Sequence, residues 1–261
     1  MAEVLRKTLP ALGIALLLGG CGGSAAEQRA APRVERAAPA AAPPEKACRP
    51  GREQRLGDER RAYAARAEGR VTAFARPGGR RVREFGPRNV NGVGTVFGVL
   101  AVVRDPSCEP AWYRVQLPIR PNGAVGYVSA ADVRLLVVRT RIEVDLSERR
   151  IDFFRDGRRV VRATAGIGSD ATPTPTGRYY VNQRLLAYDP EGPFGPGAIG
   201  ISAFSPVLTS WAQGGPIAIH GTNDPSSIGR AVTNGCLRVP NDLLERMYES
   251  NPEGTPVLVR A

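Results

Sequence analysis

The sequence predicts a mainly β protein made of two β domains, with a short helix near its C-terminus. Three observations predict it. Thirty glycines and twenty-three prolines, against 6% aromatic residues, favour short elements joined by turns over a helical bundle. Apolar and polar residues alternate in short runs such as Arg141-Ile142-Glu143-Val144-Asp145-Leu146, the pattern of a half-buried strand. Turn dipeptides, Asn122-Gly123 and Asp156-Gly157 among them, stand between such runs where hairpins reverse.

At the N-terminus, Arg6 and Lys7 precede an apolar run from Leu9 to Leu18. It is too short to span a bilayer but suits the core of a signal peptide. The run ends in Leu18-Gly19-Gly20-Cys21, which resembles the bacterial lipobox. The resemblance implies a lipoprotein signal peptide over residues 1–20 and lipidation of Cys21. The mature chain would then be extracytoplasmic, anchored to the cell membrane and facing the cell wall. An ordinary secretory signal, or a cytoplasmic protein with an apolar start, are the alternatives. Residues 21–68 are expected to be an Ala/Pro-rich linker. The part from 22 to 47 has too few large apolar side chains to offset its ordering entropy. Residues 53–67 are rich in helix formers and are expected to make a short charged helix.

Residues 69–138 read as a small β domain. Val71-Thr72-Ala73-Phe74-Ala75 is a strand ended by Pro77-Gly78-Gly79, and Gly94 to Leu100 is another. Trp112 to Leu117 alternates large and polar residues, and Gly126-Tyr127-Val128 restarts a strand after Asn122-Gly123. The run from Trp112 to Val133 resembles the end of bacterial SH3-like barrels, modules that sit beside cell-wall enzymes. A β-rich subdomain of another type is the alternative.

Residues 139–261 form the second domain. After the strand at Arg141 come Arg150 to Phe154, the Asp156-Gly157 turn and Arg159 to Ala165. Gly166 to Gly177 is a loop, and Arg178 to Val181 returns to strand. Ala187 to Trp211, with its glycines and prolines, is expected to be a hairpin flap. Pro216 to His220 is a strand ending on the histidine. Asn241 or Asp242 starts a helix through Tyr248, and Thr255 to Arg260 is the last strand.

Lys plus Arg exceeds Asp plus Glu by 36 − 25 = 11. Such a balance favours anionic surfaces. No basic cluster interleaves with stacking aromatics, so nucleic acid is not the expected partner. A solvated surface of an arginine-rich chain is the alternative, and anionic wall polymers are the partners that the cell-wall setting implied by the lipobox resemblance would offer. The cysteines are Cys21, Cys48, Cys108 and Cys236. Outside the cytoplasm, Cys48 and Cys108 are expected to form a disulfide, with two unpaired thiols as the alternative. Either way Cys236 is left as the free thiol.

The chain has one histidine, His220, sixteen residues before Cys236. A thiol needs a base to attack at neutral pH, and imidazole is the side chain best suited to supply one. Gly235 lets the backbone turn sharply before Cys236, and backbone N–H groups at Gly235 and Cys236 are candidates for stabilising an oxyanion. Arg238 offers a fixed cation to a substrate carboxylate or phosphate. A buried cysteine beside a packed histidine is the alternative on these residues alone.

His220-Gly221-Thr222, the sixteen-residue step and Thr233-Asn234-Gly235-Cys236-Leu237-Arg238-Val239-Pro240-Asn241 resemble the signature of the L,D-transpeptidase catalytic domain. Pro173 to Gly177, Trp211 to Pro216 and Gly254 to Val257 add to the resemblance. It implies a β-sandwich-like catalytic domain with Cys236 as nucleophile and His220 as proton donor and acceptor. Asn234 and Gly235 would support them, and Gly221, Thr222, Thr233 and Arg238 would bind substrate. The implied substrate is the peptidoglycan stem tetrapeptide. Cys236 would attack the carbonyl of its third residue, the terminal D-Ala would leave, and an amine of a second stem would complete a 3→3 cross-link. It also implies acylation by carbapenems. No cofactor and no metal are expected, since one histidine leaves too few nitrogen ligands for the usual zinc sets. An L,D-carboxypeptidase using water, or a non-catalytic wall-binding protein, are the alternatives. One position departs from the pattern: Asn234 stands where the family usually has histidine, and is expected to orient the catalytic pair in its place, with weakened or altered chemistry as the alternative.

Overall fold

The computed structural model describes residues 48–261. The expectations for the signal peptide, Cys21 and the spacer up to residue 47 lie outside the described residues. The first domain is an antiparallel sheet of eight strands: β1 (Glu53–Arg55), β2 (Ala62–Ala67), β3 (Val71–Phe74), β4 (Arg81–Phe85), β5 (Val96–Arg104), β6 (Pro110–Gln116), β7 (Val125–Ser129) and β8 (Val133–Val138). The order is β4-β3-β7-β6-β5-β2-β8, with β1 also on β5. A disulfide joins Cys48 to Cys108 and so ties the chain before β1 to the β5–β6 turn.

Within residues 53–67, where a helix was expected, Glu53–Arg55 and Ala62–Ala67 are strands joined by a loop. Their alanines favour a helix in isolation, but β2 is paired on both sides, by β5 and β8. Ala64 and Ala65 are fully buried there. Such pairing satisfies the backbone and buries the segment, and it overrides intrinsic propensity. The first domain consequently starts at the disulfide, ahead of residue 69.

Arg139 alone separates β8 from β9 (Thr140–Asp145). The second domain continues with β10 (Arg150–Arg155), β11 (Arg158–Thr164), β12 (Ile167–Gly168), β13 (Gly177–Leu186), β14 (Gly197–Phe204), β15 (Pro216–His220), β16 (Ala231–Thr233), β17 (Leu237–Arg238), α1 (Asn241–Ser250) and β18 (Pro256–Arg260). Its main sheet runs β11-β10-β9-β18-β13-β14-β15-β17, and β12 pairs with β16 apart from it. Ile142, Ile199, Ile219 and Leu237 are fully buried at its centre, and α1 adds Leu243, Leu244 and Met247 to the same core.

The stretch from Ala187 to Trp211 is not one flap. Its middle, Gly197–Phe204, is the core strand β14, flanked by separate loops before Gly197 and after Phe204. Ile199, Ile201 and Ala203 supply a buried apolar face that a surface flap would lack.

The two sheets are locked together by side chains. The Tyr180 ring packs on Gly98, where a Cβ would lie 2.9 Å from its Cδ1, and its hydroxyl donates to the Val96 carbonyl at 3.0 Å. Asn89 and Asn91 both donate to Gln183 Oε1, at 2.8 and 2.9 Å. Arg120 donates to the carbonyls of Ser205 and Gly214 at 2.7 and 2.6 Å. Asn122 exchanges hydrogen bonds with the backbone of Phe204.

The disulfide closes a loop of 60 residues. Loop-closure entropy assigns such a loop about 4 kcal/mol. Replacing Cys48 and Cys108 by serine is expected to lower the urea-derived stability by about that amount.

Candidate active site

The site begins with strand pairing. β15 and β17 run parallel, with Ile219 opposite Leu237 and His220 opposite Arg238. Burial alternates along β15 up to its last residue, so Ile217 and Ile219 face the core while Pro216, Ala218 and His220 take the other face. Cys236, two residues before Arg238, comes level with Ala218, whose N–H is directed at the thiol. The same register thus brings His220, Cys236 and Arg238 to one face of the sheet.

The turn into β17 is held from several sides. Gly235 has φ 107, a conformation that side-chain-bearing residues rarely adopt, and a Cβ there would meet Ile217 Cδ1 at 3.0 Å. The Thr233 hydroxyl donates to the Cys236 carbonyl at 2.6 Å and accepts the Gly235 N–H at 3.1 Å. The loop after β12 braces the turn, with Ser169 N–H and Thr172 Oγ1 both donating to the Thr233 carbonyl. Gly235 N–H is therefore already engaged, which leaves the backbone at Cys236 as the oxyanion donor to consider.

His220 is 4% exposed. Its Nδ1 lies 2.6 Å from the Gly221 carbonyl oxygen. A carbonyl can only accept, so Nδ1 carries the proton and Nε2 is left as an acceptor. Phe194, from the loop between β13 and β14, lies over the imidazole with ring centroids 4.9 Å apart. Burial lowers the histidine to about 4, and the Arg238 guanidinium adds to that, against the opposing Gly221 hydrogen bond. Burial likewise pushes the Cys236 thiol up, while the Ala218 N–H and Arg238 pull it down. At neutral pH the resting pair is neutral imidazole and neutral thiol, with no standing ion pair.

The sequence-predicted residues divide into two groups. His220, Gly221, Gly235, Cys236 and Arg238 come together as described. Thr222 and Thr233, expected to bind substrate, are each 4% exposed and spend their hydroxyls on backbone. They are framework for the site. Asn234 is exposed, and its side chain makes no hydrogen bond to another described residue. The Gly221 carbonyl, not Asn234, fixes the imidazole. Two participants were not foreseen. Phe194 covers His220 from a Gly/Pro-rich loop whose composition gave no hint of its partner. Asn241, the last residue of the motif, accepts the Thr222 N–H at 2.7 Å, so close that a Cβ on Gly221 would collide with its Oδ1. Arg238 lies 3.9 Å from Asp224 and keeps 24% of its side chain exposed.

Two measurements follow from the electrostatics. Alkylation of Cys236 by iodoacetamide is expected to rise with an inflection above the ordinary thiol value of about 8.5; a plateau at neutral pH would contradict the neutral pair. Because His220 titrates near 4 when folded and near 6.5 when unfolded, the unfolded chain binds the extra proton between those values. Stability is then full above pH 6.5 and falls as the pH drops toward 4, by on the order of 3 kcal/mol. Urea titrations of wild type and His220→Gln should show that slope in the former alone. Thr233→Val is expected to cost about 1–3 kcal/mol by leaving Gly235 N–H and the Cys236 carbonyl without their partner, with Thr233→Ser largely neutral.

The second domain has relatives among known proteins. The YkuD family model, an L,D-transpeptidase catalytic domain, matches residues 139–259. YkuD of Bacillus licheniformis, which carries an L,D-transpeptidase name, is 37% identical over 120 residues, covering 46% of this chain and 64% of its own. Its Bacillus subtilis namesake is 38% identical over 93 residues, covering 36% and 49%. The matched segment thus spans less than two thirds of either relative. A solved L,D-transpeptidase from Mycobacterium smegmatis overlaps 64% of this chain and 90% of its own at 17% identity, with a TM-score of 0.39. On the sequence matches, residues 139–259 of this chain are similar to the L,D-transpeptidase catalytic domain family.

Proposed function

We propose that this chain is a peptidoglycan L,D-transpeptidase that forms 3→3 cross-links through a Cys236 acyl-enzyme. The observation that carries the reading is the Nδ1–H bond from His220 to the Gly221 carbonyl. It leaves Nε2 free to accept a proton, and His220 shares one face of the sheet with Cys236. As the thiol attacks the carbonyl of the third stem residue, its proton passes to Nε2 and a C–S bond forms. The oxyanion takes the backbone N–H of Cys236, and Arg238 offers a cation to the stem carboxylate. Collapse breaks the C–N bond, and the imidazolium returns the proton to the departing D-Ala amine. An amine of a second stem then attacks the thioester, giving its proton to Nε2, and the sulfur leaves as thiolate to be reprotonated. Neutral partners at rest suit this scheme, because the low basicity of His220 makes the imidazolium a ready acid for the leaving amine. In this reading the chain works at the outer face of the membrane, held there by a lipidated Cys21, and its first domain is an SH3-like module against wall polymers.

Cys236→Ala is expected to abolish turnover of a stem tetrapeptide, whereas Asn234→Ala, exposed and unbonded, should stay within about threefold of wild type (under ~1 kcal/mol of barrier). Incubating tetrapeptide with and without an amine acceptor reads the fate of the acyl group: cross-linked product supports the transpeptidase, and tripeptide alone would make the enzyme a carboxypeptidase. Peptide mapping after carbapenem treatment should find the added mass on Cys236; its absence there would favour the wall-binding alternative.

A further inference from the structure

A cleft of about 570 Å³ lies between the two sheets, away from Cys236. The β4 strand and the segment 86–96 line one side, and Asn182, Gln183, Phe204 and Pro216 line the other. Its volume falls within the range of small-molecule sites.

One edge of the cleft reaches the catalytic strand. Pro216 shares one face of β15 with Ala218 and His220, so the cleft edge stands about 7 Å along the strand from Ala218, level with the thiol. The cross-strand row points the same way: Gln183 pairs with Gly200, and Gly200 with Ala218. Gly200 carries no side chain, and a Cβ there would lie 2.7 Å from Gln183 Cγ. Gln183 therefore lies across the sheet toward the catalytic strand, gripped from the first domain by Asn89 and Asn91.

The lining has a definite chemistry. Five primary amides, Asn89, Asn91, Asn182, Gln183 and Gln213, line the cleft with two aromatic rings, Phe85 and Phe204. Amides offer donors and acceptors together, matching hydroxyl and acetamido groups, and rings match the apolar faces of pyranoses. Arg83 adds a cation at the exposed β4 side. Three extended stem residues reach at most about 10–11 Å from the scissile carbonyl. That reach exceeds the step from Ala218 to the cleft edge, so a stem that runs from Cys236 along β15 is long enough to bring its sugar end to the cleft mouth.

We infer that the interdomain cleft is a second substrate subsite that holds the N-acetylated glycan to which the stem peptide is attached. The inference rests on the proposed reading of Cys236 as acting on peptidoglycan stems. The first domain then completes the substrate site of the second.

The test compares full-length wild type with Arg83→Ala and Phe204→Leu, with thermal melts to verify folding. Three probes are used: free stem tetrapeptide, the same tetrapeptide on its N-acetylglucosamine–N-acetylmuramic acid disaccharide, and a peptide-free oligosaccharide of that repeat. Wild type is expected to use the disaccharide-linked stem with a KM about tenfold lower than the free one, equivalent to one good binding contact. Both variants should lose that preference while free-tetrapeptide kinetics stay unchanged. Calorimetry should detect the oligosaccharide on wild type and not on the variants. Equal handling of both substrates with no oligosaccharide binding overturns the subsite and leaves the transpeptidase reading intact. A raised KM for free tetrapeptide in the variants overturns the glycan assignment in favour of a peptide subsite. Oligosaccharide binding lost in the variants, with no turnover of any stem by wild type, sustains the glycan site and sinks the transpeptidase reading.

Discussion

Everything at the candidate site depends on one short parallel pairing, β15 against β17. β17 is only two residues long, so it cannot hold its own register. The register is imposed by what surrounds it: Gly235 in a backbone conformation open to few residues, the Thr233 hydroxyl bonded on both sides, and reciprocal hydrogen bonds between Gly166 and Arg238. A slip of one residue would send Cys236 into the core face occupied by Ile217 and Ile219. The bulk of the domain's apolar core can be seen as the foundation for this small stretch.

Electrostatics at the site are governed by burial first and Arg238 second. One guanidinium acts on both partners, disfavouring imidazolium and favouring thiolate. It therefore biases the pair against protonated histidine while easing the loss of the thiol proton. Its own charge is only loosely met by Asp224, so it remains responsive to an incoming carboxylate.

Much of this was legible in the sequence, for a physical reason. Alternation in β9, β15 and the β10–β11 hairpin is dictated by one-sided burial, which a sequence records directly. That His220 and Cys236 come to one face of the sheet agrees with a motif whose spacing is a strand-to-strand connection. What was not legible depends on contacts distant in sequence. β2 reads as helix because alanine prefers one, and its strand identity comes from β5 and β8. β14 was hidden within a glycine- and proline-rich stretch whose burial comes from its neighbours. Asn234 drew attention by its departure from the family pattern, yet the group that fixes His220 is a backbone carbonyl, which no side-chain code can announce. The interdomain grip of Asn89 and Asn91 on Gln183 spans more than ninety residues and leaves no local trace.

Tyr180 belongs to the second sheet but is sealed to 1% exposure with its ring on Gly98 of the first. Its hydroxyl finds its acceptor there as well. Opening the first sheet alone would bare a large ring and strand a buried hydroxyl, and only one residue, Arg139, separates the two sheets along the chain. Neither half can melt at small cost while the other stays native. The two sheets are thus thermodynamically one cooperative unit, and the calorimetric and van't Hoff enthalpies of unfolding should coincide for residues 48–261 taken together.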